Sequence, residues 1–324
     1  MGKPANRPSG HSPGLTQSRS ALFNASVVSY DPYQAKVVDT ITFEGITHNE
    51  KLHIGGVAAD PYSNLVTVVV DAAVPFATRG KDVSGDNWII KYDPDKKSVV
   101  WRLNITAMTA GKYGGFQDIE TDSRGNTFIV GTFPGTILKV DKAGTAVIPW
   151  YVPAQIESTK SGYSGLAAVG DVLLANDGPA KELHRFDMTA AKGTPTKVNL
   201  RPATPFAAGD AIYPPPMYGG KVLLAADPGK GITVLRSKDG LWKEAENLGL
   251  IPLNATVAGE GSAVPAAVQV GPSNVFMVIE YFGDALVAGT TAGNRTKFPL
   301  VDITKEVTAL LEAPFPAAPS VPTS

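Results

Sequence analysis

The sequence predicts an all-β protein: a six-bladed β-propeller with four-stranded antiparallel blades. Three observations carry that expectation. Gly (33) and Pro (26) are plentiful among 324 residues while charged residues make up only 18%, the balance of a chain built from turns and buried strands. An apolar strand ending in an acidic turn recurs, as SVVSYD at 26–31, WIIKYD at 88–93, TILKVD at 136–141, ELHRFD at 182–187 and GITVLR at 231–236 with Asp239 just beyond. Between these strands lie apolar hairpins flanked by Gly, Pro, Asn and Asp, the chemistry of tight β-turns. The repeat of roughly 45–60 residues is that of propeller blades.

Taken in order within each repeat, the hairpin supplies strands A and B. These are 56–60 with 65–70, 117–121 with 127–131, 164–168 with 172–175, 217–218 with 221–226, and 265–270 with 275–280. Several are apolar on both faces, as a strand sandwiched between neighbouring blades must be. The strand ending in the acidic turn is C, with 285–291 as the last, and the outermost strand D follows at 37–43, 99–105, 146–152, 196–200, 242–248 and 298–303. Six C and six D strands stand against five hairpins, so the first blade is incomplete at the N-terminus. A ring left open exposes sheet edges; the mismatch leaves two expectations, a truncated N-terminus or a tail after Ile303 that helps close the ring. The organisation expected is an N-terminal loop segment at 1–22, the propeller at 23–303 and a C-terminal tail at 304–324.

Composition excludes several classes. Lys and Arg (29) balance Asp and Glu (30), which argues against nucleic-acid binding through bulk positive charge. No apolar run reaches the ~18 residues of a membrane span. With no cysteine there is no disulfide framework, thiolate nucleophile or cysteine metal site. Four sequons, at Asn24, Asn104, Asn254 and Asn294, fit N-glycosylation and a secretory route; the competing reading is chance in a chain rich in Ser, Thr and Asn. The first twelve residues are polar and Pro-rich, without the apolar centre of a signal peptide.

A propeller binds ligands at one end of its channel, where loops enter strand A and leave strand B. Entering A are Lys51, His53, Gln117, Tyr163 and Tyr213; leaving B are Asp71, Phe133, Asn176, Asp177, Asp227, Glu280, Tyr281 and Phe282. His53, Gln117 and Tyr163 are the candidate catalytic groups. Lys51, Phe133, Asn176, Tyr213, Tyr281 and Phe282 are the candidate substrate contacts. Each has a plainer reading: a loop hydrogen bond for His53, a tie between blades for Gln117, a channel plug for Tyr163, core packing for Tyr281 and Phe282, a solvated rim charge for Lys51. The long loop 71–86 and the N-terminal segment, which carries His11, are candidate lids. No Gly-x-Ser-x-Gly elbow, Walker loop or HExxH is present, and four scattered His argue against a transition-metal site. No metal or cofactor is expected.

Certain segments carry a family resemblance: FQDIETDSRGNT at 116–127, SGYSGL at 161–166, VWRLNI at 100–105 and EYFGD at 280–284. They resemble the secreted fungal six-bladed propellers that include a Malassezia skin allergen, the propeller protein of trichothecene gene clusters and the hetero-Diels–Alderases of tropolone–sesquiterpenoid pathways. The resemblance covers residues 20–303. It implies a role in fungal secondary metabolism, small hydrophobic partners such as terpenoids or polyketides, and no cofactor. Lactonase propellers resemble the same architecture and hold Ca²⁺ with carboxylates, but the Glu they carry at the start of their first blade has no counterpart here.

Three function classes follow. The first is a cofactor-free cyclase or pericyclase, most specifically a hetero-Diels–Alderase joining a tropolone quinone methide to a sesquiterpene such as humulene, or a trichothecene-type cyclase. It needs a cavity that brings the reacting groups together and donors aimed at developing negative charge. The second is a secreted, non-catalytic lipid or terpenoid binder, and the third a protein-binding propeller.

Overall fold

The acidic turn that repeats along the sequence is a hydrogen-bonding device. Asp31 Oδ1 accepts from the backbone N–H of Tyr33 (2.9 Å) and Gln34 (3.1 Å), Asp93 Oδ1 from Asp95 and Lys96, Asp141 Oδ1 from Thr145 (2.7 Å) and Ala146 (2.6 Å), and Asp187 Oδ1 from Thr189 (2.8 Å). A carboxylate that satisfies its own turn ends the strand where the chain must reverse.

The structure, a computed structural model, describes residues 17–31, 33–34, 36–202, 209–285, 287–288 and 293–313. It is an all-β propeller. The chain opens with β1 (Gln17–Ala21), β2 (Ser26–Asp31) and β3 (Lys36–Ile41), a three-stranded sheet. Blade I holds β4 (Leu52–Ala59), β5 (Val66–Ala72), β6 (Trp88–Asp93) and β7 (Ser98–Asn104), with the short helices α1 (Val74–Thr78) after β5 and α2 (Ile105–Thr109) after β7. Blade II holds β8 (Gly114–Thr121), β9 (Thr127–Phe133), β10 (Thr136–Val140) and β11 (Val147–Tyr151). Blade III holds β12 (Tyr163–Val169), β13 (Val172–Asp177), β14 (Glu182–Asp187) and β15 (Thr196–Lys197). The next strand, β16 (Asn199–Arg201), leaves blade III and pairs parallel with the outer edge of blade IV. That blade holds β17 (Ile212–Tyr213), β18 (Val222–Asp227), β19 (Gly231–Arg236) and β20 (Glu244–Pro252). After α3 (Ala255–Ala258), blade V holds β21 (Ala263–Val270), β22 (Asn274–Glu280) and β23 (Leu300–Asp302), and α4 (Thr304–Glu312) follows.

The expected count of six blades is corrected to five. Five sheets form the blades named above. The N-terminal sheet is not counted with them: residues 17–21, expected as loop, supply a five-residue strand at the edge of the described residues that pairs with β2 and lies against β4, with β3 outside. Among the described residues blade V has three strands. Residues 285, 287 and 288 of the expected C strand form no strand, its other residues lie outside the described ones, and β23 pairs directly with β22. In blade IV the inner strand comes earlier than expected, at Ile212–Tyr213, because Pro214, Pro215 and Pro216 turn the chain into a 3₁₀ turn at Pro216–Tyr218. The outer strand expected at 196–200 is split between two blades, stapling III to IV. Of the tail, α4 docks on blades IV and V through buried Val307, and Arg236 Nη1 donates to Leu311 O (2.9 Å); residues 314–324, like His11, lie outside the described residues.

The core is a series of seams between adjacent sheets. Val69 and Ile89 of blade I pack on Phe116, Ile119 and Ile129 of blade II; Phe128, Val130 and Trp150 of blade II pack on Leu166, Leu173 and Phe186 of blade III. This explains the hairpin strands that are apolar on both faces: every residue of β5 and of β9 is buried.

Near the axis the seams turn polar. The register slips by one residue at Gly55, Gln117 and Ser164 in the innermost strands of blades I, II and III, and neighbouring blades interlock there. Gly165 N donates to Asn176 Oδ1 (2.5 Å), while Asn176 Nδ2 donates to Asp210 O of blade IV (2.7 Å). Asp71 holds the same place in the seam between I and II. A Cβ on Gly165 would sit 2.9 Å from Asn176 Oδ1 and 2.7 Å from Asp210 O; one on Gly55 would sit 3.0 Å from Asp71 Oδ1 and 2.5 Å from Phe116 O. Asp71 is 1% exposed, and neither oxygen has a partner among the described residues. Burial holds its carboxyl well above the ordinary range.

Burial likewise pushes Asp118 to about 7, Glu120 to about 8 and Asp210 to about 7. Groups whose folded values are raised above 3.8 or 4.5 give stability that is complete at low pH and is lost as pH climbs through the folded values. The midpoint of thermal unfolding should therefore fall between pH 5 and pH 8. Asp71→Asn, which substitutes the amide used at Asn176, should match wild type at pH 4 and exceed it by about 2–4 °C at pH 8. Scanning calorimetry across that range measures both; a flat wild-type profile contradicts the argument.

Candidate functional site

The polar groups at the open ends of the inner hairpins divide into those tied within the fold and those that face a cleft. Gln117 belongs to the first set. Its Nε2 donates to Thr132 Oγ1 (2.9 Å) and to Ser164 O (2.9 Å), so one amide hydrogen is spent within blade II and the other joins blade II to blade III. Asn176 spends its amide joining III to IV. Asp118 Oδ2 accepts from Leu166 N (2.8 Å) across the same II–III seam.

Tyr163 points into the core between blades II and III, only 3% exposed, with its ring against Tyr151 and Phe186. Its hydroxyl meets His184 Nδ1 (2.7 Å), and His184 Nε2 meets Glu182 Oε2 (3.1 Å). Burial raises the phenol far above its ordinary range. His53 is half-buried in β4, in register with Asp71 and edge-on to Phe23 at 5.1 Å; burial lowers its imidazole, which favours the neutral ring at pH 7. Lys51 is exposed just before β4. Tyr213 is half-buried on β17, where burial raises its phenol.

Phe133 is buried beneath the long loop after β5. That loop folds into α1 and caps the entrance to blade II. Phe76 stacks edge-on to Phe133 at 5.6 Å, and Gly80, at φ +74°, passes so close to Ser158 O that no side chain fits. Tyr281 is buried, donates to Ala258 O and lies under the Arg295 guanidinium at 3.5 Å, while Phe282 is exposed. The expected site residues are thus dispersed over several seams and are not gathered around one cavity.

A cleft does open at this end of the channel, spanning blades II, III and IV, with a volume of about 370 Å³. Its polar lining is Thr132 from β9, Ser161 and Ser164 at the start of blade III, Lys181 from the loop after β13, and Asp227 and Lys230 from the turn after β18; glycines and Pro179 complete it. Asp227 Oδ1 accepts from Gly229 N (3.1 Å) and its Oδ2 pairs with Lys230 Nζ (3.1 Å). Of the residues singled out from the sequence, Asp227 lines the cleft, and Gln117 braces two residues that do. Thr132, Ser164, Lys181 and Lys230 were missed. The signal for the lysines was in plain view: Asp177-Gly-Pro-Ala-Lys181 and Asp227-Pro-Gly-Lys230 each put a lysine shortly after an Asp and a Gly/Pro pair in successive blades. A second cleft, of about 400 Å³, is lined by Asp284, Ala285, Val287, Asn294 and Arg295, in the segment that follows β22. Among the described residues no three His, Asp or Glu side chains converge as metal ligands.

No protein-family model matches the chain. It is 35% identical over 308 residues to the trichothecene biosynthesis protein 14 of Trichoderma arundinaceum, covering 90% of this chain and 83% of that protein. The chain belongs to the trichothecene cluster protein 14 family. The core trichothecene cluster protein 14 of Fusarium sporotrichioides is 30% identical, covering 90% of this chain and 80% of its own. Among solved structures, the major Malassezia sympodialis allergen Mala s 1 superposes with a TM-score of 0.74 at 18% identity, covering 89% of both chains. A gluconolactonase from Xanthomonas campestris gives 0.51 at 15% identity, covering 82% and 79%. These two likenesses concern the fold alone.

The bracing role of Gln117 is measurable. Gln117→Leu removes two hydrogen bonds and leaves Ser164 O without its donor, which should lower the unfolding free energy by about 1–3 kcal/mol. Urea unfolding of the variant and wild type reads the difference directly; an unchanged midpoint shows that the amide is not a tie.

Proposed function

We propose that the protein is a cofactor-free cyclase of fungal secondary metabolism that closes a ring in an oxygenated sesquiterpenoid of trichothecene type. The observation that carries the reading is 35% identity, across nearly the whole chain, to a protein of trichothecene biosynthesis. The cleft supports it. Hydroxyl, ammonium and carboxylate groups line a space of about 370 Å³, within the ordinary range for small-molecule sites.

In an intramolecular closure on an epoxide, a substrate hydroxyl attacks the ring carbon. One C–O bond forms and one epoxide C–O bond breaks. Asp227 takes the proton of the attacking hydroxyl, and the Lys181 ammonium gives one to the released oxygen, so the reaction is an isomerisation that needs no oxidant. General acid–base assistance of this kind contributes about 10²–10⁴-fold. The intermolecular hetero-Diels–Alder addition of humulene to a tropolone quinone methide is the less favoured chemistry, since a hydrocarbon partner calls for an apolar wall and this cleft is lined by Thr, Ser, Lys and Asp.

Introducing this coding sequence into a Trichoderma arundinaceum strain that lacks its own homologue tests the pathway. Restored trichothecene output by mass spectrometry is the expected result, and continued loss is evidence against it. In vitro, Asp227→Asn keeps the acceptor for Gly229 N and should lower the rate of ring closure by about a hundredfold. An unchanged rate removes Asp227 from the chemistry.

The secretory route belongs to the same proposal. Asn254 and Asn294 are exposed, whereas Asn24 Nδ2 donates to Ser26 Oγ (3.3 Å) and Asn104 Nδ2 to Asp86 Oδ1 (3.1 Å). Secretion from a eukaryotic host should therefore place glycans on Asn254 and Asn294 first. Intact mass before and after endoglycosidase treatment decides it, and an unchanged mass argues against secretory passage.

A further inference from the structure

We infer that the hydroxyls of Thr132 and Ser164 form a two-donor platform for an oxygen atom of the ligand, and that Gln117 positions them without touching the ligand itself. Thr132 and Ser164 are each only 6% exposed, yet both line the cleft. Ser164 Oγ is buried with no hydrogen-bond partner among the described residues. Thr132 Oγ1 accepts from Gln117 Nε2, so its own proton is free to be given. The other hydrogen of the same amide goes to Ser164 O, at the point where β12 slips register. One side chain therefore fixes the hydroxyl of Thr132 and the backbone that carries Ser164.

A buried hydroxyl without a partner is unfavourable, and the arrangement persists at low energetic cost when a ligand oxygen, or water in its absence, accepts from it. Two free hydroxyl donors on residues that line one cleft suit an epoxide, ether or hydroxyl oxygen, which has lone pairs for both. A hydrocarbon has nothing to offer them, and a site built to pair with oxygen rejects the analogue that lacks it. The ligand is thus an already oxygenated terpenoid, and an oxygen-inserting reaction has to precede this protein.

The inference rests on the terpenoid reading above, and calorimetric titration separates the two. The probes are a purified hydroxylated trichothecene, which carries an epoxide, and humulene as the hydrocarbon. Wild type should bind the trichothecene at least about tenfold more tightly than humulene. Ser164→Ala and Thr132→Val should each weaken trichothecene binding about threefold to tenfold, without lowering the unfolding midpoint in the Ser164 variant, and Thr132→Ser should restore affinity. Wild-type affinity in both Ser164→Ala and Thr132→Val, or equal binding of the two probes by wild type, overturns the platform and leaves the terpenoid reading standing. Failure of wild type to bind either probe overturns both.

Discussion

An innermost strand of a propeller blade is hydrogen-bonded on one side only. β4 pairs with β5, β8 with β9 and β12 with β13, and the other edge of each faces the axis. Edge N–H and C=O groups that are buried have to find partners. Here the neighbouring blade supplies them through side chains: Asp118 accepts from Leu166 N, Gln117 donates to Ser164 O, and Asn176 donates to Asp210 O. The register slips at Gly55, Gln117 and Ser164 turn the strands so that these contacts can form. The apolar seams hold the blades side by side, but the polar ties near the axis set where each inner strand stands relative to the next, and with it the shape of every opening at that end.

Much of the architecture was legible in the sequence because two of its signals have a single cause each. The acidic turns are read correctly because a carboxylate capping its own turn needs Asp at a fixed place, and Asp31, Asp93, Asp141 and Asp187 all do this. The hairpin strands outside blade IV are read correctly because a strand buried on both faces must be mostly apolar. The misreadings arise where the chain departs from the repeat for local reasons. Three successive prolines displace the inner strand of blade IV. Residues 199–201 cross to the next blade in parallel pairing, which no alternation of side chains announces. Residues 17–21, polar in sequence, form a strand that pairs with β2, which no apolar alternation announces.

The site was less legible, for a reason that the seam makes plain. Gln, Asn, Tyr and His near a channel mouth have the composition of catalytic groups whether or not their hydrogen bonds are already used. Gln117 and Asn176 spend their amides on neighbouring backbone, and Tyr163 spends its hydroxyl on His184 inside the core. Two sequons have the same double meaning: Asn104 and Asn254 cap α2 and α3, accepting from Ala107 N and Thr256 N, so an N-x-Thr pattern there has a helix-capping cause as well.

What separates a functional polar group from a structural one in this fold is the hydrogen-bonding capacity left over after the seams are satisfied. By that measure the larger side chains are exhausted and the small ones are not. Ser164 gives its carbonyl to Gln117 and keeps its hydroxyl; Thr132 accepts once and keeps its proton; the turns that begin with Asp177 and Asp227 bring Lys181, Lys230 and Asp227 itself to the cleft. Blades II, III and IV each contribute to this residue set, and none of the three holds it alone. A change in the ties between the blades therefore alters the cleft even when no lining residue is touched, and relatives with the same propeller need share neither the opening nor its chemistry.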